Sequence, residues 1–272
     1  MGNFTNTYVD KILNYIFNGT SFTTVSGWNI GLLTANPGDA ASEANEVAAG
    51  DYSRKSWTNW SLPTVSGNTR KLTNDGDVVW NAATSSWGTV SHWSVFDHTD
   101  TMIAYGEFTD GAGAPNHKAI NNGYEARIID GEFDLTISGT GFTDYLVQNI
   151  FAHIFGGSSY TSPSSTIYVG FSTTAPTDSG TNVTEPSSSN AYARKIFSDW
   201  TTCAGGVGIS NDLDITWTEA SNDGWVDCSH VLIYDATISG NLLMSHAVDI
   251  TQTVSAGMAA KFTEGSLDIT LD

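Results

Sequence analysis

The chain repeats itself once. When its 272 residues are displaced by about 138 positions, the second part matches the first nearly from end to end. The matched stretches keep one order: FTNTYVDKILNYIFNGTSF (4–22) with FTDYLVQNIFAHIFGGSSY (142–160), IGLLTANP (30–37) with VGFSTTAP (169–176), YSRKSWTNW (52–60) with YARKIFSDW (192–200), and NNGYEARIIDGEFDLTI (121–137) with SAGMAAKFTEGSLDITL (255–271). We therefore predict two tandem modules, at 1–138 and 139–272. The joint SGTG (138–141) is short, which predicts that the modules pack on each other.

Each module begins with an amphipathic segment and continues with alternating residues. The apolar positions of the first segment fall on one helix face in both copies: Tyr8, Ile12, Leu13, Ile16 and Phe17, then Leu146, Ile150, Ile154 and Phe155. A threonine or asparagine can cap the start, and Gly19 or Gly156-Gly157 can end the helix. After the helix, apolar residues alternate with polar ones between Gly, Asn and Ser turns, which is typical of antiparallel strands. We predict a mainly β chain: two tandem β-sandwich or jelly-roll-like modules, each with one N-terminal α-helix packed against an edge or end.

The order of short sequences in each module resembles a known group. A helix ending in Phe-x-Gly is followed by an (I/V)GL-T-x-x-P-like strand, Tyr-x-Arg, a Ser-His strand ending in an aromatic-Asp pair, and a glycine-led final strand. The second copy carries the best matches, at Tyr192-Ala193-Arg194, Ser229-His230, Tyr234-Asp235, GNLLMSHA (240–247) and LDITL (267–271). The first copy departs at TMIAYG (101–106). The chain resembles a family of small phage virion proteins, commonly labelled tail fibre or virion structural protein. The resemblance implies a location in the virion and supplies no catalytic residues.

Composition excludes several partners. The formal net charge is −19 with only 10 Lys and Arg, and such a surface repels phosphate, so we expect no nucleic-acid partner. No apolar run approaches the length of a bilayer, and no secretion signal is visible, so we expect no membrane partner. The hydrophobic content of 40% supports a sizeable core.

The repeated Ser-His phrase raises the question of catalysis. Ser91-His92 with Asp97, and Ser229-His230 with Asp235, contain the residue types of a Ser-His-Asp set. Neighbouring residues on a strand point to opposite faces, so we expect the serine and histidine not to meet as nucleophile and base. No Gly-x-Ser-x-Gly sequence occurs. We interpret both phrases as structural and expect no enzymatic activity.

Arginines and unmatched tryptophans are the candidate contact residues. Arg54 and Arg194 occupy matched positions after a tyrosine; either each arginine is stacked or bonded to a carboxylate of its own module, or it contacts another subunit. Most tryptophans match between the copies and are interpreted as core: Trp60 with Trp200, Trp80 with Trp217, and Trp87 with Trp225. Those found in the first copy alone are the better candidates for partner contacts: Trp28, Trp57 and Trp93.

Metal, cofactor and disulfide sites receive little support. Asp130, Glu132 and Asp134 alternate along the sequence and would share one face of a strand. They could form a calcium site, but a solvated outer surface is the favoured interpretation. The six His and two Cys show no zinc-ligand spacing, and no phosphate-binding loop occurs, so we expect neither a metal nor a cofactor. Cys203 and Cys228 could be bridged, and two reduced thiols are the preferred alternative.

The resemblance implies a virion structural protein, and the lack of a catalytic motif predicts that it is non-enzymatic. Its partners would be other virion proteins, capsid or tail subunits, and it would form a homo-oligomer on the particle. Two compact modules favour decoration and stabilisation of head or tail, because long fibres usually need a coiled coil or repetitive β-structure, and neither pattern appears. The alternative is a tail-fibre protein that binds a carbohydrate receptor on the host surface.

Overall fold

A computed structural model describes residues 2–23, 25–64, 70–137, 141–163, 167–203 and 207–271. Its two α-helices are α1 (Asn6–Asn18) and α2 (Asp144–Phe155), one near the start of each module. Extended threonines, Thr5 and Thr143, precede them, and Gly19 ends α1 in the left-handed region at φ 62°. Neither helix has the length and apolar character needed to span a membrane, and the described residues contain no other α-helix.

The first module consists mainly of short strands. They are β1 (Gly2–Phe4), β2 (Trp28–Leu33), β3 (Lys55–Trp57), β4 (Trp60–Ser61), β5 (Lys71–Asn74), β6 (Val78–Val79), β7 (Gly88–Val90), β8 (His92–Phe96), β9 (Met102–Glu107), β10 (Lys118–Ile120), β11 (Arg127–Ile128) and β12 (Leu135–Thr136). One eight-stranded sheet has the order β3-β2-β8-β9-β1-β12-β5-β4, and two smaller ladders pair β10 with β7 and β11 with β6.

The second module has the corresponding strands. They are β13 (Ile167–Ser172), β14 (Lys195–Phe197), β15 (Trp200–Thr202), β16 (Ile209–Asn211), β17 (Ile215–Thr216), β18 (Trp225–Tyr234), β19 (Leu242–Val254), β20 (Lys261–Phe262) and β21 (Asp268–Ile269). They form a four-stranded sheet β14-β13-β18-β19, a three-stranded sheet β15-β16-β21 and the pair β17-β20. The predicted fold class, mainly β with one N-terminal helix per module, is confirmed.

Strand pairing follows the same register in the two modules. Leu33 lies opposite His92, as Ser172 lies opposite His230. The same agreement holds for three further pairs: Trp60–Asn74 with Trp200–Asn211, Leu72–Leu135 with Ile209–Ile269, and Val78–Ile128 with Ile215–Phe262. The repeat in sequence is therefore a repeat in topology. The boundary at 138/139 stays a prediction, because residues 138–140 of the proposed joint lie outside the described residues.

The modules differ where β1 enters the first sheet. β1 pairs antiparallel with β9 and parallel with β12, and so joins two groups of strands into one sheet. In the second module the corresponding contact, among the described residues, is a single bridge from Phe142 to Met244, and the two groups of strands remain separate sheets. β18 and β19 form one long irregular hairpin, whereas the first module divides that hairpin into the β8–β9 and β7–β10 pairs.

Both modules share one hydrophobic core. A single cluster of buried apolar side chains runs through both modules and includes the inner faces of α1 and α2. The prediction that each helix covers an edge of its own module is incomplete, because aromatic residues of each helix also pack on the other module. Amphipathic spacing specifies which face of a helix is buried, but does not specify which surface covers it.

Trp93 fills the centre of the first module. Its side chain is 2% exposed, and its ring centroid lies 3.9 Å from that of Phe133. The ring crosses Gly2 on β1 and Gly106 on β9, where a Cβ atom would lie 2.2 Å and 2.3 Å from ring carbons. These two glycines are required because any side chain would occupy the volume of the indole.

We predict that Gly106→Ala destabilises the protein by about 1–3 kcal/mol, the usual cost of overpacking a core. Gly50→Ala is the control, because a Cβ there meets nothing within 4 Å. Urea unfolding followed by tryptophan fluorescence measures both free energies of unfolding. Equal stabilities for the two variants would contradict this role of Trp93.

Candidate functional site

The interface between the modules is built by reciprocal aromatic contacts. Phe17, at the end of α1, lies edge-on to Trp200 of the second module at 5.1 Å between ring centroids. Phe155, at the end of α2, makes the matching contact with Trp60 of the first module, also at 5.1 Å. The interplanar angles are 65° and 66°. The repeat therefore gives the interface approximate two-fold symmetry, as in an isologous dimer contained in one chain.

Two matched residues meet at the centre of this interface. Tyr15 of α1 and His153 of α2 stack with ring centroids 4.8 Å apart. The Tyr15 hydroxyl donates to the Tyr160 carbonyl, and His153 Nε2 donates to the Phe22 carbonyl at 2.8 Å. His153 Nδ1 accepts the backbone N–H of Tyr160 at 3.2 Å, which requires a neutral ring. Each helix thus donates a hydrogen bond to the segment that follows the other helix: α1 to the segment after α2, and α2 to the segment after α1.

Two other contacts across the interface are made by the first module alone, and among the described residues the second module has no matching bond. Arg70 donates to the Phe142 carbonyl at 2.6 Å and forms ion pairs with Asp144 at 3.1 Å and Asp178 at 3.3 Å. Trp28 Nε1 donates to the Ile154 carbonyl at 3.2 Å. Both contacts hold α2 against the first module, one at each end of the helix.

The Ser-His phrases make a contact that the sequence analysis excluded. Ser91 Oγ lies 2.8 Å from His92 Nδ1, and Ser229 Oγ lies 2.9 Å from His230 Nδ1. The premise that the two side chains point apart is therefore wrong, whereas the expectation that they do not act as nucleophile and base stays a prediction. Alternation of side chains holds along a regular strand, whereas Ser91 lies between β7 and β8, and β18 has a register shift between Cys228 and His230.

The aspartates of both phrases bind elsewhere. Asp97 accepts hydrogen bonds from the Tyr8 hydroxyl at 2.6 Å and from the backbone N–H of Thr99 at 2.8 Å. Asp235 accepts the backbone and side-chain N–H groups of Asn241, both at 2.7 Å. In each pair the serine occupies Nδ1, the nitrogen that an aspartate would bind in a Ser-His-Asp triad.

Arg54 lies in a cluster of side chains from its own module. Its guanidinium bonds Glu46 at 2.7–3.1 Å and lies 3.3 Å from the ring centroid of Phe96. Tyr52 bridges the cluster to β2, because its hydroxyl donates to Glu46 and accepts the N–H of Leu32.

Arg194 repeats this cluster in the second module. It bonds Glu185 at 2.8–3.2 Å and lies 3.3 Å from the ring centroid of Tyr234. Tyr192 takes the place of Tyr52 and accepts the N–H of Phe171 at 2.9 Å. The geometry thus agrees with the reading of a paired, stacked arginine inside each module.

The unmatched tryptophans lie at different depths. Trp28 is buried between Trp60 and Phe155, Trp93 is buried as described above, and Trp57 is half-buried on the edge strand β3. Contact of Trp28, Trp57, Trp93, Arg54 or Arg194 with another subunit stays a prediction. Trp57, Arg54 and Arg194 are partly exposed, whereas Trp28 and Trp93 are buried.

Sequence reasoning missed a matched pair of buried asparagines. Asn74 Nδ2 donates to the carbonyls of Gly76 and Ile129, while its Oδ1 accepts the N–H of Phe133. Asn211 makes the same three bonds, to Leu213, Thr263 and Leu267. Each amide ties two turns together and satisfies buried backbone groups. The alignment of TND (73–75) with SND (210–212) could have identified this pair, because the asparagine occupies the same position in both copies.

The acidic run does not lie on one strand. Asp130 and Glu132 belong to a turn, where they accept the N–H of Gly76 and of Ile129, and Asp134 forms an ion pair with Lys71 at 2.8 Å. Among the described residues no three His, Cys, Asp or Glu side chains are placed to hold a metal ion. Cys203 and Cys228 are free thiols, and burial raises the pKa of Cys228 to about 11.

We predict that Phe17→Ala and Phe155→Ala each cost about 3–5 kcal/mol, the usual loss for a buried phenylalanine. Ile238→Ala is the control, because Ile238 is 80% exposed. Denaturant unfolding measures all three variants. A cost for Phe155→Ala no larger than that of the control would contradict the reciprocal interface.

Acid should weaken the interface through His153. Burial lowers the pKa of His153 below 6.5, although its bond to the Phe22 carbonyl acts in the opposite direction. The unfolded chain therefore binds this proton more readily. The stabilisation is complete above the unfolded-state pKa of about 6.5 and is lost as the pH falls below it.

We predict that between pH 7.5 and pH 5 the native chain loses about 1 kcal/mol more stability than His153→Gln, which has no titrating ring at this position. His92 and His230 remain in both proteins, so the difference isolates His153. Unfolding free energies at the two pH values test this. Equal losses in the two proteins would show that His153 is not the titrating group.

Comparison with known proteins connects this architecture to a family. A search of curated proteins returned no match. A family model described as Podophage GP4 fiber I protein gp80 matches residues 3–136 and, a second time, residues 141–270. The two matches coincide with the two sets of strands and confirm both the resemblance to phage virion proteins and the duplication. The chain belongs to the family of the podophage GP4 fiber I protein gp80, a family of virion components.

Proposed function

We propose that this chain is a non-enzymatic structural protein at the surface of the phage particle, where it binds other virion subunits and stabilises head or tail. The observation that carries the proposal is the reciprocal interface, in which Phe17 and Phe155 each pack on a tryptophan of the other module. Such an interface makes the two modules one rigid block. A rigid block loses little conformational entropy when it bridges neighbouring subunits.

Two further observations support this function. Arg54 and Arg194 each bond a glutamate of their own module, Glu46 and Glu185, which supports a structural role for both arginines. Asp97 and Asp235 bind turn residues and not the Ser-His pairs, which favours a structural role for both phrases. Homo-oligomerisation on the particle remains part of the proposal.

Binding to a particle stabilises it by mass action, so the proposal predicts a measurable thermal effect. We expect micromolar recombinant chain, added to particles stripped of it, to raise the temperature at which they release DNA. Particles that retain their own copies are the control. Rebinding without any rise in that temperature would contradict stabilisation, and failure to rebind would contradict association with virion subunits.

Receptor binding is the second candidate. The family description names a fibre protein, and the first module has an open cleft of about 770 Å³ between β10 and β11. Tyr124, 63% exposed, lies on its wall beside Glu125. Aromatic and carboxylate side chains together suit a carbohydrate. Micromolar glycan-array binding that Tyr124→Ala abolishes would favour this function over decoration.

A further inference from the structure

The second module has an open groove along its longest strand. Two adjoining cavities, of about 500 Å³ and 330 Å³, share walls formed by Val248, Asp249 and Phe262. We call them together the β19 groove. One side is β19, and the other is formed by residues 258–262 and 266–270. In the described part of the chain β19 is the last strand of its sheet. Phe142 bridges its outer edge at Met244, and the part of β19 beyond that bridge lines the groove.

The larger cavity is lined by exposed aliphatic side chains. Ile250 is 71% exposed and Met258 is 61% exposed, above the buried floor of Phe171 and Cys228. Isolated exposed aliphatic residues are ordinary, but two on one apolar groove beside a strand edge are typical of an interaction site.

The charges of the groove favour a cationic occupant. Asp249 and Asp268 line it, and Lys261, the one cation of the described lining, is already paired with Asp214 at 2.5 Å. The second module as a whole has 14 of the 29 acidic residues and only 3 of the 10 basic ones. The net charge of −19 disfavours a second copy of this chain as the occupant of this groove, whichever other surface homo-oligomerisation on the particle uses.

The cleft of the first module provides an internal comparison. It lies at the matched position, and Tyr124 there corresponds to Met258. Its walls carry charges of both signs: three basic residues, Lys71, Lys118 and Arg127, and five acidic ones, Glu107, Asp110, Glu125, Glu132 and Asp134. The two modules therefore share the position of the groove but not its lining. A segment with apolar side chains is expected to prefer the second groove, where Ile250 and Met258 are exposed.

We infer that the β19 groove binds an extended segment of another virion protein, in which apolar side chains alternate with lysine or arginine. Successive side chains of an extended strand point to opposite sides, so one set would contact Ile250, Met258 and Phe262 while the other reaches Asp249 and Asp268. Backbone groups of the segment would add a strand to the outer edge of β19 beyond the Phe142–Met244 bridge. The inference rests on the proposed function, since it names the partner of the same particle association.

Photo-crosslinking in assembled particles tests this inference. The full chain would carry p-benzoyl-phenylalanine in place of Met258 or, as the matched control, in place of Tyr124. We expect position 258 to give an adduct with an apolar and basic segment of a different virion protein, and position 124 to give none with that segment. An adduct only with another copy of this chain, or no protein adduct at 258 while the chain is present in the particle, would overturn the inference. Absence of the unlabelled chain from purified particles would instead count against the proposed function.

A second variant measures the contribution of the apolar contacts. Ile250→Ser with Met258→Ser should weaken rebinding to stripped particles at least about tenfold, since each side chain loses burial in the complex. Tyr124→Ser is the control and should rebind as the native chain does. Because all three residues are exposed, the melting temperature should not change, and this is measured alongside. Native affinity of the double variant, or affinity of the native chain that does not fall with added salt, would contradict the inference.

Discussion

The packing of each helix on the opposite module is the interaction on which the structure depends. Phe17 and Phe155 end the two helices, and each ring lies against a tryptophan that begins a strand in the other module. The contact removes large aromatic surfaces from water on both sides. It merges two cores that would each be small into one, and it fixes the relative orientation of the surfaces that face outward. Tyr15 and His153 close the centre with hydrogen bonds to the segments after the helices.

The duplicated modules share several polar contacts and differ at the centre of their apolar cores. The asparagine that ties two turns and the Arg-Glu-Tyr cluster occur in both modules with nearly the same distances. The large side chain of Trp93, in contrast, is replaced by the smaller Val231 at the matched position of β18. Strand β1, which joins the two groups of strands in the first module, has no full equivalent among the described residues of the second. The second module consequently has a groove beside β19 with aliphatic walls, whereas the first has a cleft with mixed charge. One fold thus presents two different surfaces.

The repeat, the β class, the helix positions and the burial of the matched tryptophans were predictable, because periodicity and internal matching report burial and order directly. The burial of Trp28 and Trp93 was not, because these residues occur in the first copy alone and were taken as candidates for partner contacts. The partner of each helix was not, since amphipathicity does not identify the covering surface. Glu46 and Glu185 were missed as partners of the arginines because they are 8 and 9 residues away in loops of unpredictable path. The Ser-His contact was misjudged because strand alternation was assumed where the strand is interrupted at Ser91 and irregular after Cys228. The acidic run was placed on a strand although most of it lies in a turn.

Calorimetry of the intact chain tests the shared core most directly. If the reciprocal contacts unite the modules, thermal unfolding at neutral pH should be a single transition whose calorimetric and van't Hoff enthalpies agree for the whole chain. Two separate transitions would contradict the account, and so would a van't Hoff enthalpy near half the calorimetric enthalpy. Either result would mean that the modules unfold independently and that the interface does not hold them as one block.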